Sequence, residues 1–111
     1  MSASSMVPLG VLEEQILVAV LRTREEAFGM SVRREIKRVT GRDLAIGAVY
    51  ATLDRLEAKE FVLSGRPRGE RPSRRVFQLT TAGIRALAET RALHDQLWRG
   101  IDLSRLARGK A

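Results

Sequence analysis

The chain contains no cysteine and a single histidine in its 111 residues. Without cysteine there is no disulfide framework, no thiolate metal site and no cysteine nucleophile. One histidine cannot build a ligand cluster, so no metal or other cofactor is expected. Aromatic side chains are scarce, with one Trp, one Tyr and three Phe, which leaves little for stacking on unpaired bases. The longest unbroken apolar run, Ile16 to Leu21, is far below the roughly 20 residues needed to cross a bilayer, so no membrane association is expected. The opening MSASSMVP has no basic stretch leading into an apolar one, no secretory signal is visible, and a cytoplasmic location is expected. No Ser/His/Asp constellation or phosphate-binding glycine loop has a convincing context, so the protein is not expected to be an enzyme.

What is present is positive charge. Lys and Arg number 20 against 13 Asp and Glu, giving a net charge of +7 on a composition that belongs to the soluble globular class. The length suits one domain with a modest core. The excess is not spread evenly. Residues 1–60 balance to zero, as do residues 80–90, whereas residues 61–79 carry Arg66, Arg68, Arg71, Arg74 and Arg75 against Glu70 alone. Residues 91–111 hold the remaining +3. Five arginines and no lysine in the first patch favour planar, bidentate partners such as phosphate or guanine.

Periodicity supplies the elements. Residues 9–24 carry apolar side chains at Leu9, Leu12, Ile16 and Val20, with a second stripe of Val11, Val18 and Leu21. The combined surface is wider than one core requires, which implies a second buried contact. Residues 29–40 predict a short amphipathic helix with Val32, Ile36 and Val39 inward, basic residues outward and Gly41 as its stop. After a turn through Arg42, Asp43 and Leu44, a third helix is predicted over residues 46–59, with Ile46, Val49, Leu53 and Leu56 inward. Its opposite face is small or polar: Gly47, Ala48, Tyr50, Ala51, Thr52, Asp54 and Arg55. Residues 61–66 and 74–79 predict a hairpin in which Phe61 and Leu63 face Phe77 and Leu79 across a charged GRPRGERPS tip. Thr80 is the expected N-cap of a last helix. Its inward set begins with Ile84 and Leu87 and ends with Leu93, Leu97, Trp98 and Ile101, beyond the reach of so small a core. Residues 103–111 are expected to fray.

The expected fold is thus mainly α with a small β-hairpin: a flexible start (1–8), a winged helix-turn-helix (9–80), a C-terminal helix (81–102) and a tail (103–111). Two short helices joined by a tight turn, the second with a small outer face, are the sequence form of a helix-turn-helix, and a basic hairpin after them makes the wing. A major groove admits one helix, and its phosphate rims call for cations beside it. The expected partner is a double-stranded DNA operator, approached through Gly47, Ala48 and Ala51, with Thr52 and Arg55 on the same side. Arg33, Arg34 and Lys37 would flank the site, with Arg66, Arg68, Arg71, Arg74 and Arg75 on phosphate. From the residues alone Tyr50 reads as a half-packed surface aromatic, and Arg55 could instead pair with Asp54 or Glu57.

LGVLEEQILVAVL, EEAFGMSVRREI, AIGAVYATLDRLEAKEFV and RRVFQLTTAG resemble the successive blocks of the PadR-like transcriptional regulators over about residues 9–90. The resemblance implies a homodimer built through the first and last helices, and usually repression relieved by a small molecule. It also implies a DNA contact for Tyr50, with packing against the second helix as the alternative. The short tail resembles the small subfamily with a single C-terminal helix. Leu12, Ile16, Leu93, Leu97, Trp98 and Ile101 are then the expected dimer interface. Trp98 and His94 are candidates for a pocket that takes a small aromatic effector. Ala45 stands where the family often places an N-cap Ser, Glu60 where it places Gly, and Pro72-Ser73 where Gly-Gly is common. Two other functions fit the same features: a non-specific nucleic-acid or RNA-binding module, and a protein-interaction adaptor.

Overall fold

A computed structural model describes residues 8–66 and 74–109. Helix α1 spans Val11–Thr23 and ends in a 3₁₀ turn at Arg24–Glu26; α2 spans Gly29–Thr40 and α3 Ile46–Ala58. Strands β1 (Val62–Gly65) and β2 (Val76–Leu79) pair antiparallel, followed by α4 (Thr81–Trp98) and α5 (Leu103–Arg108). This is the mainly helical, winged helix-turn-helix order expected, with a C-terminal helix after the wing. Arg68, Arg71 and the Pro72-Ser73 turn lie outside the described residues.

Helix α1 runs through the middle of the domain, against α2, α3, the hairpin and α4. Ile16, Leu17 and Val20 therefore meet Val32 and Ile36 from α2, Val49, Leu53 and Leu56 from α3, and Val62 and Phe77 from the hairpin in one core. This corrects one expectation for the dimer interface. Ile16 is 0% exposed, because a central helix uses its main stripe inside its own domain, while Leu12 is half-buried against the same core. The outward stripe is Val11, Val18 and Leu21. Val39, Ile46 and Ile84, expected inward, are exposed. Each lies near the end of its helix or beyond the neighbouring element, where periodicity continues but nothing stands opposite.

The hairpin register pairs Val62 with Leu79 and Ser64 with Phe77. Directly opposed residues share a face, so Val62, Phe77 and Leu79 turn inward and Leu63 outward, the reverse of the face expected for β1. The cause lies just upstream. Helix α3 closes with the Glu60 N–H donating to the Glu57 carbonyl and the Phe61 N–H to the Leu56 carbonyl, at 2.9 Å each. That pattern needs a left-handed residue, and Glu60 supplies it at φ 66°. The chain leaves this turn with Val62 aimed at the core.

Two contacts seat α4. The Leu9 N–H donates to Thr90 Oγ1 at 3.1 Å, and Gly83 lies under the Phe61 carbonyl where a Cβ would overlap it. Thr80 caps α4 as expected, its Oγ1 accepting from the Gly83 N–H at 3.0 Å. After Thr90 every described residue is exposed, and α4 projects from the core as an arm that stretches the molecule to 60 × 38 × 20 Å. The expected fraying at 103–111 is corrected over Leu103–Arg108, where Asp102 caps α5 by accepting from the Arg105 N–H at 3.1 Å.

Candidate nucleic-acid interface

Helix α3 exposes Gly47, Ala51, Asp54 and Arg55, with Ala48 and Tyr50 half-buried at its edges. No side chain caps its first turn at Ala45. Asp43, two residues before Ala45, turns elsewhere: its carboxylate accepts from Arg33 Nη2 at 2.9 Å and lies 3.6 Å from Lys37 Nζ. Arg33 also donates from Nε to the Leu44 carbonyl at 2.5 Å. It thereby fastens α2 to the turn that orients α3, and the turn's geometry depends on an arginine rather than on a cap.

Tyr50 realises the packing alternative. Its phenol lies over Gly29 at the start of α2, where a Cβ would overlap the ring. Among the described residues its hydroxyl has no hydrogen-bond partner. Thr52 departs from expectation: it is 1% exposed and cannot be part of an outer face. The helical period places it beside Val49, Leu53 and Leu56, and its Oγ1 accepts from Arg55 Nη2 at 3.2 Å. Arg55 bonds to Thr52 and not to the neighbouring carboxylates.

The basic side chains divide into two groups that composition could not separate. Arg33 and Lys37 are engaged by Asp43. Arg75 is paired with Asp54 at 3.3 Å and Glu57 at 2.9 Å, and its guanidinium stacks 4.8 Å from the Phe77 ring centroid. Arg75 thus ties β2 to α3, while Arg22 and Arg38 converge on Glu35. Bonds from Arg38 and Arg22 hold the Glu35 carboxyl down at about 2. By contrast, Arg34, Arg55 and Arg74 pair with no carboxylate among the described residues. Arg66 is exposed at the end of β1.

Residue Phe28 escaped the sequence reading. It precedes α2 beside the wing, with Arg74 over its ring at 3.9 Å and Arg34 at 6.0 Å. The only signal for it was an apolar residue standing directly before a helix, where polar caps are usual.

The sequence matches the transcriptional regulator PadR-like family over residues 16–89. The chain belongs to this family. The match covers the helix-turn-helix, the wing and the first half of α4. No curated protein sequence matches the chain. Several solved structures share the fold of this PadR-like protein. RosR of H. salinarum aligns with TM-score 0.68 at 20% identity, covering 92% of this chain and 88% of its own. A winged-helix DNA-binding protein from STIV aligns with TM-score 0.69 at 17% identity, over 85% of this chain and 98% of its own. BpsR of Bordetella bronchiseptica, whose DNA binding is regulated by 6-hydroxynicotinic acid, aligns with TM-score 0.65 at 17% identity, over 95% of this chain and 80% of its own. The protein is a PadR-like transcriptional regulator.

The arm carries the other expected site. Leu93, Leu97, Trp98 and Ile101 are all exposed, Leu97 at 76% and Trp98 at 52%. His94 Nε2 lies 3.2 Å from Glu14 Oε1, which turns it toward α1. No group of residues suited to hold a metal ion occurs among the described residues, nor a helix long and apolar enough to cross a membrane.

Proposed function

We propose that the protein is a homodimeric, sequence-specific DNA-binding repressor of the cytoplasm, released from its operator by a small aromatic effector. The observation that carries this reading is the sorting of charge around α3. Its exposed side offers small residues at Gly47, Ala48 and Ala51 and, at Arg55, a cation that pairs with no carboxylate among the described residues, with Arg34 and Arg74 in the same condition beside the start of α2. Small residues allow a helix backbone into the major groove, and unpaired guanidinium groups meet the phosphate rims. Tyr50 enters as a backbone contact through its hydroxyl, and Thr52 as the support of Arg55. In this role Arg33, Lys37 and Arg75 hold the reading head together, and Arg66, Arg68 and Arg71 are assigned to backbone phosphate.

Dimerisation is supported by apolar surface that the single chain leaves uncovered. Leu93, Leu97, Trp98 and Ile101 on the arm are matched on the body by Val11, Val18 and Val39, which line a groove of about 270 Å³ between α1 and α2. An exposed patch of this kind marks an interaction surface. Two subunits related by a two-fold axis would read half-sites one helical turn apart, about 34 Å. The effector reading draws on Trp98 and His94 at this interface and on the fold shared with BpsR.

Selection of bound duplexes from a random library at near-physiological salt, followed by footprinting of the selected sites, tests the proposal. An inverted repeat with affinity falling steeply in salt is the expected result. Uniform binding to all sequences, or preference for RNA, would replace it with a general nucleic-acid module, and a stable monomer in light scattering would remove the dimer.

A further inference from the structure

Phe28 joins the two parts of the reading head. The Phe77 N–H of β2 donates to the Ala27 carbonyl at 2.8 Å, so the wing runs directly beside the residues that lead into α2. Phe28 then presents a half-buried ring to which two cations come from separate elements, Arg74 from the wing and Arg34 from α2. Both guanidinium carbons lie within 6.0 Å of one ring centroid, so the two charges are gathered into one small region. The electron-rich face of an aromatic ring attracts each guanidinium without neutralising it, whereas a carboxylate in the same place would cancel the charge. This contrasts with Arg33 and Arg75, whose positions are fixed by Asp43, Asp54 and Glu57. The cluster also adjoins α3, since Tyr50 packs on the very next residue, Gly29. Holding two like charges together leaves mutual repulsion that a polyanion relieves.

We propose that Phe28 is a positioning residue for DNA: its ring preassembles Arg74 and Arg34 into one cationic pair that grips backbone phosphates of a single strand beside α3. The inference rests on the DNA-binding reading above and adds a residue and a phosphate site to it. Phe28 itself touches no base and carries no charge, so its effect is the same for every sequence.

The test is a salt titration of binding to a mixed-sequence DNA duplex of about thirty base pairs, with the full chain as wild type, Phe28→Leu, Phe28→Tyr and the double variant Arg34→Gln/Arg74→Gln. Each phosphate contact contributes about 0.9 to the slope of log affinity on log salt. Phe28→Leu is expected to weaken binding about tenfold at near-physiological salt and to lower the slope by about one to two, while Phe28→Tyr restores both. Adding Phe28→Leu to the double variant changes nothing further, which a purely structural role for the ring would not predict. Melting temperatures identify any loss that comes from unfolding, and Phe28→Tyr carries the comparison if Phe28→Leu is unstable, since it keeps the ring and so must keep the wild-type slope. A wild-type slope in folded Phe28→Leu, or an altered one in folded Phe28→Tyr, overturns the inference and leaves the DNA-binding reading intact. Failure of the wild-type chain to bind the duplex overturns both.

Discussion

The phenol of Tyr50 on α3 rests on the bare Cα of Gly29 at the start of α2. A Cβ at this position would overlap the ring, so the phenol can lie where it does only over glycine. Gly29→Ala should therefore destabilise the protein by about 1–3 kcal/mol by overpacking, against the few tenths to 1 kcal/mol that alanine gains in a helix. Gly47 offers the internal control: a Cβ there meets nothing within 4 Å, so Gly47→Ala should be neutral or stabilising. Urea denaturation of the two variants would separate them. Equal stability would mean that the ring moves aside at no cost.

Glu60 sits at φ 66° in the left-handed turn that ends α3. A residue with a Cβ bears a cost of roughly 1–2 kcal/mol in that conformation, partly offset by the larger unfolded-state entropy of glycine. Glu60→Gly is expected to stabilise the protein by about 1 kcal/mol, seen as a raised melting temperature. Glu60→Val, with its branched Cβ, should lower it.

Sequence patterning revealed the helices because Ile16, Val32, Val49 and Leu53 recur at helical spacing and all end in the core. It was weaker where two stripes competed. Periodicity cannot say which of the α1 stripes faces its own domain, and a resemblance that assigns α1 to the dimer does not say which stripe is left for it; Ile16 belongs to the core stripe. In the short β1, one residue of slip exchanges Leu63 for Val62, and the slip is decided by the Glu60 turn rather than by the strand. For the interface the limit was electrostatic. Arg33, Arg34, Arg74 and Arg75 look alike as letters, and only tertiary placement assigns Asp43 to the first and Asp54 with Glu57 to the last.

Buried Thr52 accepts a bond from Arg55, which makes it the support of an exposed cation rather than a contact. Thr52→Val keeps the volume and removes the acceptor. The loss of a single hydrogen bond should cost about 1 kcal/mol of folding stability. In binding assays the ratio of operator to mixed-sequence affinity should fall several-fold, because Arg55 loses its fixed direction. An unchanged ratio would show that Arg55 is oriented by DNA alone.

Glu35 accepts from Arg38 Nη2 at 2.7 Å and from Arg22 Nε at 2.6 Å, and these bonds hold its carboxyl at about 2, below the usual 4.5. Because the folded value is depressed, the stabilisation is fully present above pH about 4.5 and is lost as the pH falls through about 2. Wild type and Glu35→Gln should therefore differ most in urea midpoint near pH 6, and the difference should shrink steadily on acidification. A difference independent of pH would assign Glu35 a packing role instead.

Leu97 and Trp98, 76% and 52% exposed, stand on the part of α4 beyond its last buried residue, Thr90. Leu97 lies outside the core, so replacing it by Glu should change the stability of the single chain little, and a marked loss is expected to come from association. In the proposed dimer, Leu97→Glu should halve the molar mass in light scattering and make the melting temperature independent of protein concentration, whereas that of wild type rises with it. The single tryptophan reports the same event. Trp98 should emit at shorter wavelength in the wild type, where a second subunit excludes water, and shift to the red in the variant. A Trp98 spectrum typical of full exposure in both proteins at all concentrations would place the arm in solvent and exclude it from the subunit contact.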